Sequence, residues 1–342
     1  MARAAEHWDA RIGRRIRLRD LHVLLTVVQC GSMAKAARGL GVTQPAVSKA
    51  IAELEQTLGV RLLDRGPRGI EPTLYGNALV RRGLAVFDEL RQGVGEIKFI
   101  ADPTVGEVRI GCNESLSAAL LPGVIERLSG QHPGVAVHVS QMSRPITSEI
   151  RQLRERNVDL IIGRGIFPIP EDDLLAEILF EEPFLVVVGA QSQWARRRKI
   201  ALAELVDEKW ILFPPNEAPG VLVEQAFRTH GLAVPRARVA TSSFHLRNML
   251  LMSGDYLTVV PACMLAVFNA KHLTVKSLPI DLGVETRPVA IFTLKNRTLS
   301  PVAELFIRSV RSAATMLVPK AKVPSGLSGS RNLAFLRDRR AG

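Results

Sequence analysis

Residues 44–52 put a carboxamide, a hydroxyl and an ammonium on one side of a short helix: Gln44, Ser48 and Lys49, with the small Ala52 beside them. Groups of this kind suit hydrogen bonding to base edges and phosphates. A glutamine amide matches the paired donor and acceptor of adenine, whereas a lysine neutralises phosphate. Ser32, Thr43 and Pro45 lie at the helix starts around this face, and Arg65 and Arg68 follow in a turn built from Gly66, Pro67 and Gly69. An arginine at such a tip can enter the concentrated negative potential of a minor groove, although any exposed hairpin tip carries charge.

A second set suits a small ligand. Asn113, Glu114, Ser115 and Ser117 stand after a strand at the start of a helix, where free N–H groups favour an anion or a ligand oxygen. Glu114 opposes an anion there unless it turns away. Later strand ends deliver Arg144, Arg164, the loop 214–220, Thr241, Ser242, Ser243 and His245. Arg164 could pair with a carboxylate or stack on a ring. A capped helix end or a surface turn accounts for each of these residues as well as ligand contact does.

Motifs for covalent chemistry are missing. Gly163-x-Gly165 lacks the third glycine of a dinucleotide loop, and no GxSxG, Walker loop or HExxH occurs. The seven histidines are dispersed, and Cys30, Cys112 and Cys263 are far apart within or beside apolar segments. They read as small buried hydrophobes in a reducing compartment, with no metal site and no cofactor expected.

The elements that hold these groups can be read from spacing. Ser32 can cap a helix carrying Ala34, Ala36, Ala37 and Leu40, which Gly41 ends. Thr43 can cap the next, where Pro45 loses no hydrogen bond, and Val47, Ile51, Leu54 and Leu58 make its inward stripe. Ahead of them Leu21, Leu24, Leu25 and Val28 predict a supporting helix over 18–30, and 60–73 reads as two short strands around the arginine turn. Helices joined by a short glycine turn match the helix-turn-helix arrangement, but they also occur in bundles.

From Thr73 to about Ile100 one long helix carries Val80, Gly83, Phe87, Leu90, Val94 and Ile97 at heptad spacing. At 1.5 Å per residue it reaches on the order of 40 Å, with no globular core of its own, so Val80, Phe87, Leu90, Val94 and Ile97 should pair with a second copy. Gly93 and Gly95 make its end a candidate hinge. After Asp102 and Pro103, strands and helices alternate to about Leu317, which implies a parallel, doubly wound sheet. So many strands are better shared between two lobes, with a ligand crevice between them.

The chain has 342 residues, a net charge of +12 and 47% hydrophobic content, enough for two or three domains and a polyanionic partner. It has no secretory signal and no run of eighteen apolar residues, so no membrane is expected. The basic arm 1–17 reads as a solvated tail or a phosphate contact. The tail 319–342 reads as disordered, with Leu333, Phe335 and Leu336 leaving a short docked helix open.

Ala36–Ala37, Leu40, Gln44–Ser48 (QPAVS), Ile51, Leu54–Glu55, Leu58–Gly59, Leu62–Leu63 and Arg65 together resemble the N-terminal signature of LysR-type transcriptional regulators. The match is dense over about ninety residues and looser beyond. The resemblance implies an all-α winged helix-turn-helix domain at 18–72 and a linker helix at 73–101. It further implies a two-lobed α/β effector domain of periplasmic-binding-protein type (type 2) at 104–318, with lobe I at 104–181 and 283–318 and lobe II at 182–282. It implies a cytoplasmic, non-enzymatic homodimer or homotetramer that binds double-stranded promoter DNA and a small-molecule effector of unknown identity, with RNA polymerase as a further partner. From the residues alone, an enzyme or solute-binding module fused to a DNA-anchoring domain stays open, as does a basic nucleoid-type protein.

Overall fold

Leu24, Val27, Ala36, Val47, Ile51 and Leu54 are each at most 3% exposed, and three short helices meet around them. These are α1 (Leu18–Cys30), α2 (Met33–Leu40) and α3 (Gln44–Leu58), followed by a hairpin of β1 (Leu63–Gly66) and β2 (Gly69–Pro72). The computed structural model describes residues 15–66, 69–143, 146–165, 167, 169–214, 218–270, 275–284 and 286–317. Arg68, Arg144, nearly all of the basic arm and the tail 319–342 lie outside the described residues. Alanines at 36 and 37 let α1, α2 and α3 approach closely, and each fully buried branched side chain contributes about 1.5–3 kcal/mol. The hairpin is tied down by Glu55, whose Oε1 accepts from the N–H groups of Leu62 at 2.7 Å and Leu63 at 3.2 Å.

Thr73 opens α4 (Leu74–Ala101): its hydroxyl accepts from Gly76 N at 3.0 Å and donates to Arg61 O at 2.7 Å. A Cβ on Gly76 would stand 2.0 Å from Leu62 O, so only glycine lets α4 start against the hairpin. The helix differs from its predicted isolation. Leu79 and Val80 pack on the three-helix core, Gly83 fits against Leu25, and the Phe87 ring lies 5.6 Å from His22. Val80 and Phe87 therefore face their own chain, and the exposed stripe is Val86, Leu90, Val94, Ile97 and Ile100. Further on, Asp88 and Gln92 are buried and Phe99 packs on the next domain. The helix passes unbroken through Gly93 and Gly95.

The remaining chain forms two five-stranded sheets. The first contains β3 (Val105–Asn113), β4 (Gly134–Met142), β5 (Leu160–Arg164), β6 (Leu174–Glu182) and β12 (Arg287–Leu294), in the order β4-β3-β5-β12-β6. The second contains β7 (Phe184–Gly189), β8 (Trp210–Leu212), β9 (Ala237–Ala240), β10 (Leu257–Pro261) and β11 (Val275–Ser277), in the order β11-β7-β10-β8-β9. Helices α5 (Glu114–Gln131), α6 (Ile146–Arg154) and α10 (Pro301–Leu317) accompany the first sheet; α7 (Ala218–Thr229), α8 (Phe244–Met252) and α9 (Cys263–Ala270) accompany the second. Neither sheet is all parallel. β3 runs parallel to β4 and β5, but the returning β12 is antiparallel to β5 and β6, and β7 is antiparallel to β10 and β11. The chain crosses between lobes at Pro183 and returns between Ser277 and Arg287. Spacing in the sequence does not mark β6, α9 or β11. No helix among the described residues is long and apolar enough to cross a membrane.

Candidate functional site

The first region is the outer side of α3. Burial of Val47, Ala50, Ile51 and Leu54 turns Gln44, Pro45, Lys49 and Ala52 to solvent at the helix start. Lys49 has only an exposed neighbour, Glu53, at 3.9 Å, a pair too solvated to hold it. Two expected roles change. Thr43 occupies the N-cap position with extended backbone, but its side chain accepts no capping bond; Pro45, two residues on, has no N–H to offer. Ser48 is half-buried and donates to the Met33 sulfur at 3.1 Å, so its hydroxyl is aimed partly inward. Ser32 does cap α2, over 3.5 Å to Lys35 N. Arg65 is exposed on the hairpin, and one guanidinium nitrogen lies 3.7 Å from the same Met33 sulfur. Met33 thus links the start of α2, the outer side of α3 and the wing.

The second region is a cavity of about 500 Å³ between the lobes. The first lobe supplies Asn113, Glu114 and Ser115 at the start of α5, Glu149 and Ile150 from α6, and Ile161, Ile162 and Arg164 from β5. Facing them are Phe213, Ser242, Phe244, Arg247, Val260 and Met264 of the second lobe, and Arg287 lies at the returning crossover. Asn113 caps α5, its Oδ1 accepting from Leu116 N at 3.1 Å.

Arg164 is already engaged. Its Nε donates to Glu182 Oε2 at 2.9 Å, a second nitrogen meets the same carboxylate, and Nη1 reaches Ser115 Oγ at 3.0 Å and Asn113 Oδ1 at 3.3 Å. Glu182, 2% exposed, uses its other oxygen to accept from Cys263 N at 2.7 Å. The pair therefore staples β5, the lobe crossover and the start of α9, and Arg164 is a structural cation at the cavity wall. Arg247, 7% exposed, has its guanidinium carbon 3.9 Å from the centroid of the Phe213 ring, a cation–π contact. Sequence reading missed Arg247, although a helix capped by Ser243 puts its fourth residue one turn in, on the side of Phe244. Thr241 and His245 do not line the cavity: the Thr241 hydroxyl accepts from Ser243 N at 3.0 Å, and His245 is exposed beside Phe244.

Both cysteines nearby are poor nucleophiles. Burial pushes the Cys112 thiol up to about 11, and burial followed by the Glu182 charge pushes Cys263 higher still. Among the described residues no cluster of His, Cys, Asp or Glu is placed to hold a metal ion.

Similarity to known proteins agrees with this division. Residues 18–77 match the family described as bacterial regulatory helix-turn-helix protein, lysR family, and residues 101–315 match the LysR substrate binding domain. An uncharacterised HTH-type transcriptional regulator of Escherichia coli, YdcI, is 28% identical over 300 residues, covering 88% of this chain and 96% of the relative. The HTH-type transcriptional regulator GbpR of Azospirillum brasilense is 28% identical over 320 residues, 92% of each chain. In fold the chain is similar to ArgP from Mycobacterium tuberculosis, with TM-score 0.65, 20% identity and coverage of 86% of this chain and 96% of that one. A full-length OxyR variant from Pseudomonas aeruginosa gives TM-score 0.63, 22% identity and coverage of 86% and 95%. With a helix-turn-helix at its start and a two-lobed substrate-binding domain after a long helix, the chain belongs to the LysR family of transcriptional regulators.

Proposed function

We propose that the protein is a cytoplasmic regulator that binds promoter DNA as at least a dimer and answers to a small organic acid held between its lobes, without metal or cofactor. The observation that carries the DNA side is the outer face of α3, where Gln44 and Lys49 lead the helix into solvent while its other side is sealed in the core. Gln44 reads adenine in the major groove, Lys49 neutralises phosphate, and Arg65 on the wing meets the backbone or minor groove. Leu90, Val94 and Ile97 on the exposed stripe of α4 pair with a second chain and set the half-site spacing.

On the ligand side, the isoleucine and phenylalanine walls favour an apolar body. Arg247 and Arg287 both line the cavity and add positive charge to it, which favours a carboxylate; Arg164 is held by Glu182. Asn113, Ser115 and Ser242 line the same space and orient it, and Glu114 disfavours a second anion on the first-lobe side. Such a ligand regulates only if it binds two arrangements of the lobes with different affinity.

Fluorescence anisotropy with the duplex upstream of the gene and a shuffled duplex tests the DNA reading. The upstream duplex should bind at least about a thousandfold more tightly, with affinity falling steeply as salt rises. Equal affinity for both duplexes would refute it.

A further inference from the structure

A cluster of charges is buried where α4 meets the first lobe. Asp88, halfway along α4 and 3% exposed, receives Arg297 in a fork, Nε to Oδ2 at 2.7 Å and Nη2 to Oδ1 at 2.9 Å. Arg297 lies between β12 and α10 with its side chain wholly buried, and is itself held by Asp159 at 2.6 Å and Val158 O at 2.7 Å. Arg91 reaches both aspartates, Arg156 reaches Asp88 at 3.4 Å and Arg109 reaches Asp159 at 3.2 Å. Arg156 adopts φ 61°, and among the described residues no other non-glycine has a positive φ.

Apolar contact alone would attach a helix to a domain without fixing its direction. A two-pronged guanidinium–carboxylate bond fixes angle and register together. On its other half α4 is gripped by the winged domain through Leu79, Val80, Gly83 and Phe87. We infer that Asp88 is a positioning residue that locks α4 to the first lobe, so that helix and lobe turn as one lever and the lobe dictates where the wing lies. From Asp88 to the start of α4 is about 20 Å, so a turn of a few degrees at the lock moves the wing by about 1–2 Å. The inference deepens the proposed function and rests on it for its DNA consequence, but the lock itself can be measured without DNA.

The test uses the full chain with Cys30 replaced by serine and spin labels on cysteines introduced at exposed Glu71 and Arg308, diluted with unlabelled protein. Asp88→Ala removes the helix's side of the lock while Arg297 keeps Asp159 and Val158 O; Asp88→Asn keeps the shape and guards against misfolding. The wild-type lock should give one narrow distance distribution, Asp88→Ala a broad one and Asp88→Asn an intermediate one. Wild-type width in both variants overturns the inference. In the DNA arm, operators with half-sites moved apart by about two base pairs should bind the native chain about tenfold more weakly and Asp88→Ala with little loss. Wild-type discrimination by Asp88→Ala again overturns it. Narrowing and broadening as expected with no specific DNA binding would sink the proposed function and leave the lock standing.

Discussion

Arg297→Met puts the buried cluster to an energetic test. The native guanidinium is wholly buried and makes four hydrogen bonds of 2.6–2.9 Å to Asp88, Asp159 and Val158 O. Methionine fills much of the space but leaves two carboxylates that are almost completely out of water. Removing one partner of a buried pair costs about 3–5 kcal/mol, because the remaining charge keeps its desolvation penalty. Arg91, Arg109 and Arg156 still reach the aspartates, at up to 3.5 Å, which puts the loss at the lower end, about 3 kcal/mol. Asp88 adds a pH signature. Burial raises its carboxyl, but Arg297 and Arg91 outweigh burial and hold it below the ordinary value. Its contribution is present above the unfolded aspartate value and lost as pH falls through the lower folded one, so the deficit of Arg297→Met should shrink in acid. Urea unfolding of the full chain, followed by tryptophan fluorescence and circular dichroism, should show a midpoint lower by about 1 M at a slope near 3 kcal/mol/M. A loss under about 1 kcal/mol at neutral pH would refute the reading of the cluster as a buried, mutually dependent set.

Arg164→Gln leaves Glu182 buried without its cation and should cost about 3 kcal/mol in denaturant stability; a variant as stable as the native chain that has lost ligand binding would make Arg164 a ligand residue instead. Leu90→Glu with Ile97→Glu places charge on the exposed stripe of α4 and should weaken self-association by at least about tenfold in sedimentation velocity, since each side chain buried on pairing contributes about 1.5–3 kcal/mol. An unchanged sedimentation coefficient at low concentration would mean that another surface joins the chains. At pH 8 a thiol shifted to about 11 is only about a thousandth ionised, so iodoacetamide should modify Cys30 in the native chain and spare Cys112 and Cys263 until denaturant is added. Prompt modification of all three would contradict their burial.

Most of residues 18–101 could be read locally. Ser32, Gly41, Gly59 and Thr73 mark helix ends through their own backbone needs, and Val47, Ile51 and Leu54 repeat at the helical period, so neighbours alone decide. What stayed hidden depends on distant partners. β6 is an edge strand in which Leu175 and Ile178 are exposed among glutamates, and its one partner, β12, comes more than a hundred residues later. α9 is short and has too little polar sequence to show a stripe. Asp88 reads as a solvated position on a helix surface until Arg297, 209 residues away, is brought against it. Arg164 was visible as a charge in the cleft, but its neutralising Glu182 sits at a lobe crossover that spacing does not reveal. Helical phase alone turns Ser48 outward, because it does not register a sulfur approaching from the neighbouring helix.

The most direct test of the DNA-reading face is Gln44→Ala measured on the operator and on duplexes carrying each single base-pair change. The expected result is a loss of about 1–3 kcal/mol of discrimination at one base pair in each half-site, with the other positions read as before. If the variant separates specific from random DNA in the native ratio, the outward side of α3 does not read the sequence.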